Sequence, residues 1–206
     1  MAKRRASSPL TLAVLACLAQ RPMHPYEMAT TMRDQHHDSA VKINFGSLYN
    51  AVETLRKSEL IDVQGTGRQG NRPERTTYEI TESGRDELAQ RLRELLSTPA
   101  KEYTLLAAGL TFMTALAPDD VAAQLALRAH RLEKELEIGH EELRAHHEGA
   151  DGAPPLARIF LVEDEYQLAL KETELKWVRR LLQDINSEVL DGVADWRERS
   201  SSRRPR

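Results

Sequence analysis

Apolar residues along this chain recur mostly at steps of three and four, the spacing that gathers them on one side of a helix. Leu10, Val14, Leu15 and Leu18 form the first such stripe. Ser7 and Ser8 before Pro9 supply its start, and Arg21-Pro22 ends it near Gln20. Pro25 opens a second predicted helix, Tyr26 to Gln35, with Met28 and Met32 facing inward. After the polar connection HHDSAVK, Phe45-Gly46-Ser47 begins a third, in which Leu48, Ala51, Val52 and Leu55 share one side. The opening turn of that helix is small, polar and aromatic, so one face is anchored while the turn stays free to touch something.

The period then changes. Leu60-Ile61-Asp62-Val63 and Thr76-Thr77-Tyr78-Glu79-Ile80 are β-prone, and QGTGRQGNRPER between them carries three Gly, a Pro and three Arg. This predicts a β-hairpin wing with a basic tip. Thr81 caps a further helix with Leu88, Leu92, Leu95 and Leu96 along one side, and Ser97-Thr98-Pro99 marks a domain joint. Three helices, two strands and a helix make the order of a winged helix-turn-helix.

Beyond Pro99 the pattern is one of long helices. Lys101 to Ala117 is expected to hold an apolar helix containing Phe112 and Met113. From Pro118 to His147, Ala122, Ala129, Leu136 and Leu143 alternate with Leu125, Leu132 and Gly139 in four-three steps, the mark of a coiled-coil seam. After the loop GADGAPP a final helix of roughly 35 residues is expected from its helical spacing. Its apolar positions are Ile159, Tyr166, Leu170, Trp177, Val178, Leu181, Ile185 and Val189. Helices this long on a small domain must bury their stripes against each other or a second subunit. A dimer meets that need, with Leu125, Leu132, Leu136, Leu143, Tyr166, Leu170, Trp177 and Leu181 as its dimerisation residues. The fold class is therefore mainly α, with a winged helix-turn-helix at 1–98, a coiled-coil dimerisation domain at 99–197 and a disordered basic tail at 198–206.

Composition agrees with this and narrows the chemistry. The chain of 206 residues is 40% hydrophobic and 30% charged, with 10 Gly and 9 Pro, which suits long helices. Net charge is −3, yet residues 1–98 hold 14 Lys and Arg against 12 Asp and Glu, while residues 99–206 hold 15 against 20. The small basic excess falls in the half with the wing. A single cysteine, Cys17, excludes a disulfide framework and a Cys-rich zinc site and fits a reducing cytoplasm. MAKRR followed by LTLAVLA and Cys17 imitates a lipoprotein signal, although the apolar run is short for one and Leu15 is unusual two positions before a lipidated Cys. No stretch reaches the run of about 18 apolar residues that spans a bilayer.

Catalytic and metal chemistry find little support. His140 and His147 share a helix face but stand about 10 Å apart, too far for one ion without a third element. His36-His37-Asp38 has no ligand spacing. Gly65, Gly67 and Gly70 precede strand-like residues rather than a helix, which removes a dinucleotide reading. The chain is read as no enzyme, with no cofactor and no metal.

Residues 10–98 resemble the PadR family of bacterial transcriptional regulators. The likeness lies in the apolar first helix, "RPMHPYEM", "GSLYNAVETLRKSELI" and the Tyr-x-x-Thr-x-x-Gly of "YEITESG". The C-terminal half, including "ETELKWVRRLLQDI", resembles the helical dimerisation domain of larger members. Pro25 departs from the pattern, since many members carry Gly there. The resemblance implies a dimeric repressor of double-stranded DNA whose affinity a small-molecule effector or stress signal alters.

A recognition helix docks with its opening turn in the major groove, so Lys42, Asn44, Ser47, Tyr49 and Asn50 are the expected contacts to bases and phosphates. Lys42 also suits a solvated loop, and Tyr49 equally a half-buried ring bonding within the domain. Arg68, Arg72 and Arg75 in the wing would meet the adjacent backbone or minor groove. Lys3, Arg4 and Arg5 form a similar basic arm. Tyr26 either offers its hydroxyl to a phosphate or packs against Tyr49. Tyr103, Phe112, Tyr166 and Trp177 are the aromatics an effector cavity would use, but none is assigned to one. Besides a cytoplasmic regulator binding an inverted-repeat operator, a helical protein-interaction module and an anchored lipoprotein remain open.

Overall fold

The computed structural model describes residues 8–34, 41, 43–67, 75–150 and 153–202. The chain divides into two compact units, Met1–Lys101 and Glu102–Arg206.

In the first unit, helix α1 (Pro9–Gln20) begins where Ser8 accepts a hydrogen bond from the Leu10 N–H at 3.2 Å and Pro9 takes the first turn. Helix α2 (Pro25–Asp34) opens on a capping box in which His24 replaces the usual hydroxyl residue. The Tyr26 N–H donates to His24 Nδ1 at 3.1 Å, and the His24 N–H donates to Glu27 Oε2 at 2.8 Å. Helix α3 (Phe45–Lys57) is capped by Asn44. The predicted stripes converge: Val14, Leu15 and Leu18 of α1, Met28 and Met32 of α2, and Leu48, Val52 and Leu55 of α3 make one core.

Helix α3 stops in a Schellman turn. The Leu60 N–H donates to the Leu55 carbonyl at 3.1 Å and the Glu59 N–H to the Arg56 carbonyl at 2.9 Å. Glu59 adopts φ +59° there, the left-handed region that favours glycine. Strands β1 (Ile61–Gly67) and β2 (Arg75–Ile80) follow as an antiparallel pair with Ile61 opposite Ile80 and Val63 opposite Tyr78. Met23 and Tyr78 exchange backbone hydrogen bonds at 3.1 and 3.2 Å, a third rung that the sequence pattern does not reveal. Helix α4 (Glu82–Ser97) is capped by Thr81 and packs on α1 through Leu88 and through Arg91, which donates to Thr11 Oγ1 at 3.2 Å. Leu92, Leu95 and Leu96 were expected to share the packed side with Leu88, but all three are exposed, Leu96 at 87%.

Cys17 lies at 0% exposure in the middle of α1, so the run LTLAVLA is a core helix of the folded domain and not a lipoprotein signal. Burial pushes its thiol from 9.0 up to about 11, against a smaller opposing pull from Arg21. Because the folded value lies above the unfolded one, the buried thiol favours folding below pH 9, and that contribution is lost between about pH 9 and 11. Native protein at pH 8 is expected to leave Cys17 unreactive toward Ellman's reagent, with full reaction on denaturation. Rapid labelling of the native chain would contradict this packing.

The second unit departs further from its expected outline. The apolar helix expected across Lys101 to Ala117 is only α5 (Leu105–Thr111), followed by a 3-10 turn at Met113–Ala115, so Phe112 and Met113 lie beyond its end. Helix α6 (Pro118–Glu148) and helix α7 (Val162–Asn186) form an antiparallel hairpin. Their edges carry Arg128–Glu174, Glu133–Arg179 and Glu135–Lys171 ion pairs at 2.6, 2.7 and 3.1 Å. The α6 seam is buried within the chain, where Ala122, Leu125, Ala129, Leu132 and Leu136 pack on Leu168, Leu175, Val178 and Ile185 of α7. Gly139 continues the seam, its Cα beside the Leu168 side chain.

The expected 35-residue final helix is interrupted. Glu188 at φ +55° and Gly192 at φ +83° turn the chain, and helix α8 (Val193–Ser201) brings Val193 and Trp196 into the hairpin core. Residues 198–201 of the expected disordered tail are thus helical, while 203–206 lie outside the described residues. The Trp196 indole donates to the Leu116 carbonyl at 2.8 Å, and Arg197 pairs with Asp119 at 2.6 Å. Tethered in this way, α8 cannot continue the line of α7.

Candidate nucleic-acid interface

Of the expected contact residues, Asn44, Ser47, Tyr49 and Asn50 sit at the exposed opening end of α3. Asn44 is committed there in part, since its side-chain oxygen accepts the Ser47 N–H at 2.7 Å and so starts the helix. Its amide nitrogen makes no hydrogen bond among the described residues. Ile43 is half-buried against the core while Leu48 is fully buried, a hydrophobic pair that fixes the angle at which the chain enters α3. With one side anchored by Leu48, Ala51, Val52 and Leu55, Ser47, Tyr49 and Asn50 meet solvent, as does Phe45 in the opening turn.

Tyr26 is 54% exposed and so is not the core ring that the sequence left open, while Tyr49 keeps 49% of its surface exposed. Tyr26 does not meet Tyr49 in a stacked pair. Its ring lies nearly parallel to Phe45, with centroids 5.9 Å apart and 9° between planes, and the Arg33 guanidinium carbon stands 5.4 Å from the Phe45 centroid. Sequence reasoning missed Phe45 and Arg33. Phe45 could have been noticed, because it precedes Tyr49 by one helical turn and opens α3, where no earlier turn covers it. Arg33 carried no such signal, since α2 and α3 meet only in the tertiary structure.

The last turn of α3 sets one carboxylate against two cations. Glu53 bonds Arg56 at 2.9 and 3.0 Å and pairs with Lys57 at 3.5 Å. Hydrogen bonding from Arg56, with help from Lys57, holds the Glu53 carboxyl at about 2, so the group is charged at any working pH. The positive charge expected to meet a polyanion lies at the opening of α3 and in the wing. Of the wing residues, Arg75 opens β2 opposite Gly67, whereas Arg68 and Arg72 lie outside the described residues, as does Lys42. The Lys3-Arg4-Arg5 arm and His36-His37-Asp38 also lie outside them.

Among the described residues no group of three His, Cys, Asp or Glu is placed to hold a metal ion, and no helix is long and apolar enough to cross a membrane. In the second unit Leu125, Leu132 and Leu136 are buried in the hairpin and Leu143 and Leu181 are half-buried against it, while Tyr166, Leu170 and Trp177 are exposed at 60%, 48% and 46%.

A helix-turn-helix whose third helix leads into a β-hairpin and a capping helix defines the N-terminal unit as a winged-helix domain. The family model of the transcriptional regulator PadR-like family matches residues 14–90, which lie within this winged-helix unit. Solved structures agree in fold. Bacillus subtilis PadR in complex with operator DNA aligns with a TM-score of 0.65 at 16% identity, covering 85% of this chain and 98% of that one. The same protein in complex with p-coumaric acid gives 0.60 at 19% identity, covering 86% and 98%. A Streptococcus mutans protein gives 0.55 at 22% identity, covering 85% and 99%. The comparison with curated proteins yields no match.

Proposed function

We propose that this chain is a cytoplasmic, homodimeric, sequence-specific DNA-binding transcriptional regulator. In this reading it is a repressor that a small-molecule or stress signal releases from an inverted-repeat operator. One observation carries the reading: the opening turn of α3 is bare and polar while the rest of the helix is pinned by a buried stripe. Ser47, Tyr49 and Asn50 then read base edges and phosphates in the major groove, Asn44 adds its amide, and Tyr26 offers its hydroxyl to the backbone. Lys42, Arg68, Arg72 and Arg75 supply flanking charge. The operator-DNA and p-coumaric acid complexes of Bacillus subtilis PadR support the DNA and effector parts of the reading by likeness of fold.

The dimer part rests on apolar surface left open in the second unit. Helix α7 carries a second stripe, Val162, Tyr166, Leu170 and Trp177, on a side that α6 does not cover, and α5 has no buried residue at all. Monomers seldom leave such stretches wet. Residues 1–98 form the DNA-binding part and 99–197 the dimerisation part, with Leu125, Leu132, Leu136, Leu143 and Leu181 building the hairpin that presents the stripe. Two α3 helices about a twofold axis then occupy successive major grooves about 34 Å apart.

Gel shifts on DNA upstream of the chain's own gene, with light scattering for mass, test this. A dimer that prefers one upstream fragment over random DNA is the expected result, and Asn50→Ala should cost about 1–3 kcal/mol on that fragment while leaving binding to random DNA unchanged. A monomer, or equal affinity for all fragments, would overturn the proposal.

A further inference from the structure

The stack at the opening of α3 has no task in the core. Ile43 already closes the helix start, and Phe45, the first helical residue, keeps 41% of its surface exposed. An apolar ring left in water beside polar groups is costly unless a partner covers it. The surroundings say which partner. Phe45 and Tyr49 are one turn apart and both exposed, and Ser47 and Asn50 are exposed in the same two turns, so an apolar contact stands among polar ones. Arg33, held near the Phe45 ring, has no carboxylate partner among the described residues. A guanidinium kept over a ring face directs its N–H groups outward in one plane, the geometry that suits phosphate oxygens. In the major groove of DNA the apolar feature of the base edges is the 5-methyl group of thymine.

We propose that Phe45 reads a thymine methyl group in the major groove, held in position by Tyr26, while Arg33 bonds the neighbouring phosphate. This rests on the DNA-binding reading and adds to it two contacts for each half-site, one to a base and one to a phosphate. The parallel Tyr26 ring restricts the angle of Phe45, so the ring meets the groove without an ordering cost at the moment of binding. Sequence choice at that base pair then comes from an apolar contact, and Asn50 and Ser47 discriminate at neighbouring positions.

The test uses the full chain and the preferred fragment from the gel shifts. Each thymine is replaced in turn by deoxyuridine, which lacks only the methyl group. Wild-type protein is expected to lose about fourfold in affinity at one thymine per half-site, the worth of one buried methyl group. In Phe45→Ala that loss disappears, and Phe45→Gln, which retains bulk and helix propensity, gives the same flat response. Arg33→Gln is expected to lower the slope of log affinity against log salt by about 0.9, one phosphate contact. A deoxyuridine response in either Phe45 variant equal to that of wild type would overturn the methyl contact, and an unchanged salt slope would overturn the role of Arg33. Specific binding by wild type with no sensitive thymine sinks this inference and leaves the regulator reading intact, whereas failure to prefer any DNA fragment removes both.

Discussion

Trp196→Ala is expected to destabilise the second unit by about 3–5 kcal/mol, the usual cost of emptying a buried aromatic site. The ring is 4% exposed among Val121, Leu125 and Val193, and its N–H satisfies the Leu116 carbonyl at the end of the 3-10 turn. Two losses therefore coincide: a cavity at the open end of the hairpin and an acceptor left without its donor. Trp196→Phe separates them, because it retains most of the packing and removes only the hydrogen bond, and it should cost roughly 1–3 kcal/mol. Denaturant unfolding followed by fluorescence of the remaining Trp177 reads both variants. An unchanged midpoint for Trp196→Ala would mean that α8 does not seal the hairpin. In the proposed dimer Tyr166, Leu170 and Trp177 ride on the same hairpin, so the alanine variant should also weaken self-association.

A comparable loss is expected in the first unit from Gly84→Ala. A Cβ at this position would fall on the Leu60 carbonyl oxygen and press on the Ile80 side chain. Backbone cannot swing aside as a rotamer does, so α4 must lift from the start of β1. Thr81 and Ser83 fasten the same corner, both donating to the Glu59 carbonyl at 2.9 and 3.0 Å, while Thr81 accepts the Gly84 N–H at 3.0 Å. The cost is expected to reach at least the upper end of the roughly 1–3 kcal/mol typical of overpacking. Cys17 gives a local probe, since its reaction with Ellman's reagent should begin at lower denaturant in the variant. Equal protection of Cys17 in both proteins would show that the corner yields freely.

That corner explains the Tyr-x-x-Thr-x-x-Gly motif in physical terms. Tyr78 pairs its backbone with Met23, Thr81 caps α4 and holds Glu59, and Gly84 permits the close approach to Leu60. The motif was legible as a string, but its three duties became visible only when the segments it joins, distant in sequence, were together. The exposed opening turn of α3 was more legible. That Asn44, Ser47, Tyr49 and Asn50 meet solvent follows from helix period, because a stripe of four buried residues leaves few directions for the rest. Phe45 was within reach of the same reasoning, and its partners Tyr26 and Arg33 were not.

Local chemistry in the sequence determined where helices start and stop, since Ser8, Asn44 and Thr81 bond backbone groups only two or three residues away and Pro9 and Pro118 pre-set first turns. It also determined the alternation of helices and wing and the apolar side of each element. Tertiary structure alone decided what covers those sides. The seam of α6 has the repeat of a coiled coil, yet α7 of the same chain fills it, because a hairpin supplies a covering helix at a far smaller loss of freedom than a second molecule does. The DG turn at Asp191-Gly192 was readable as a break, but not that α8 would fold back through Trp196. Periodicity reports which face of a helix avoids water, and it is silent on the neighbour that shields it.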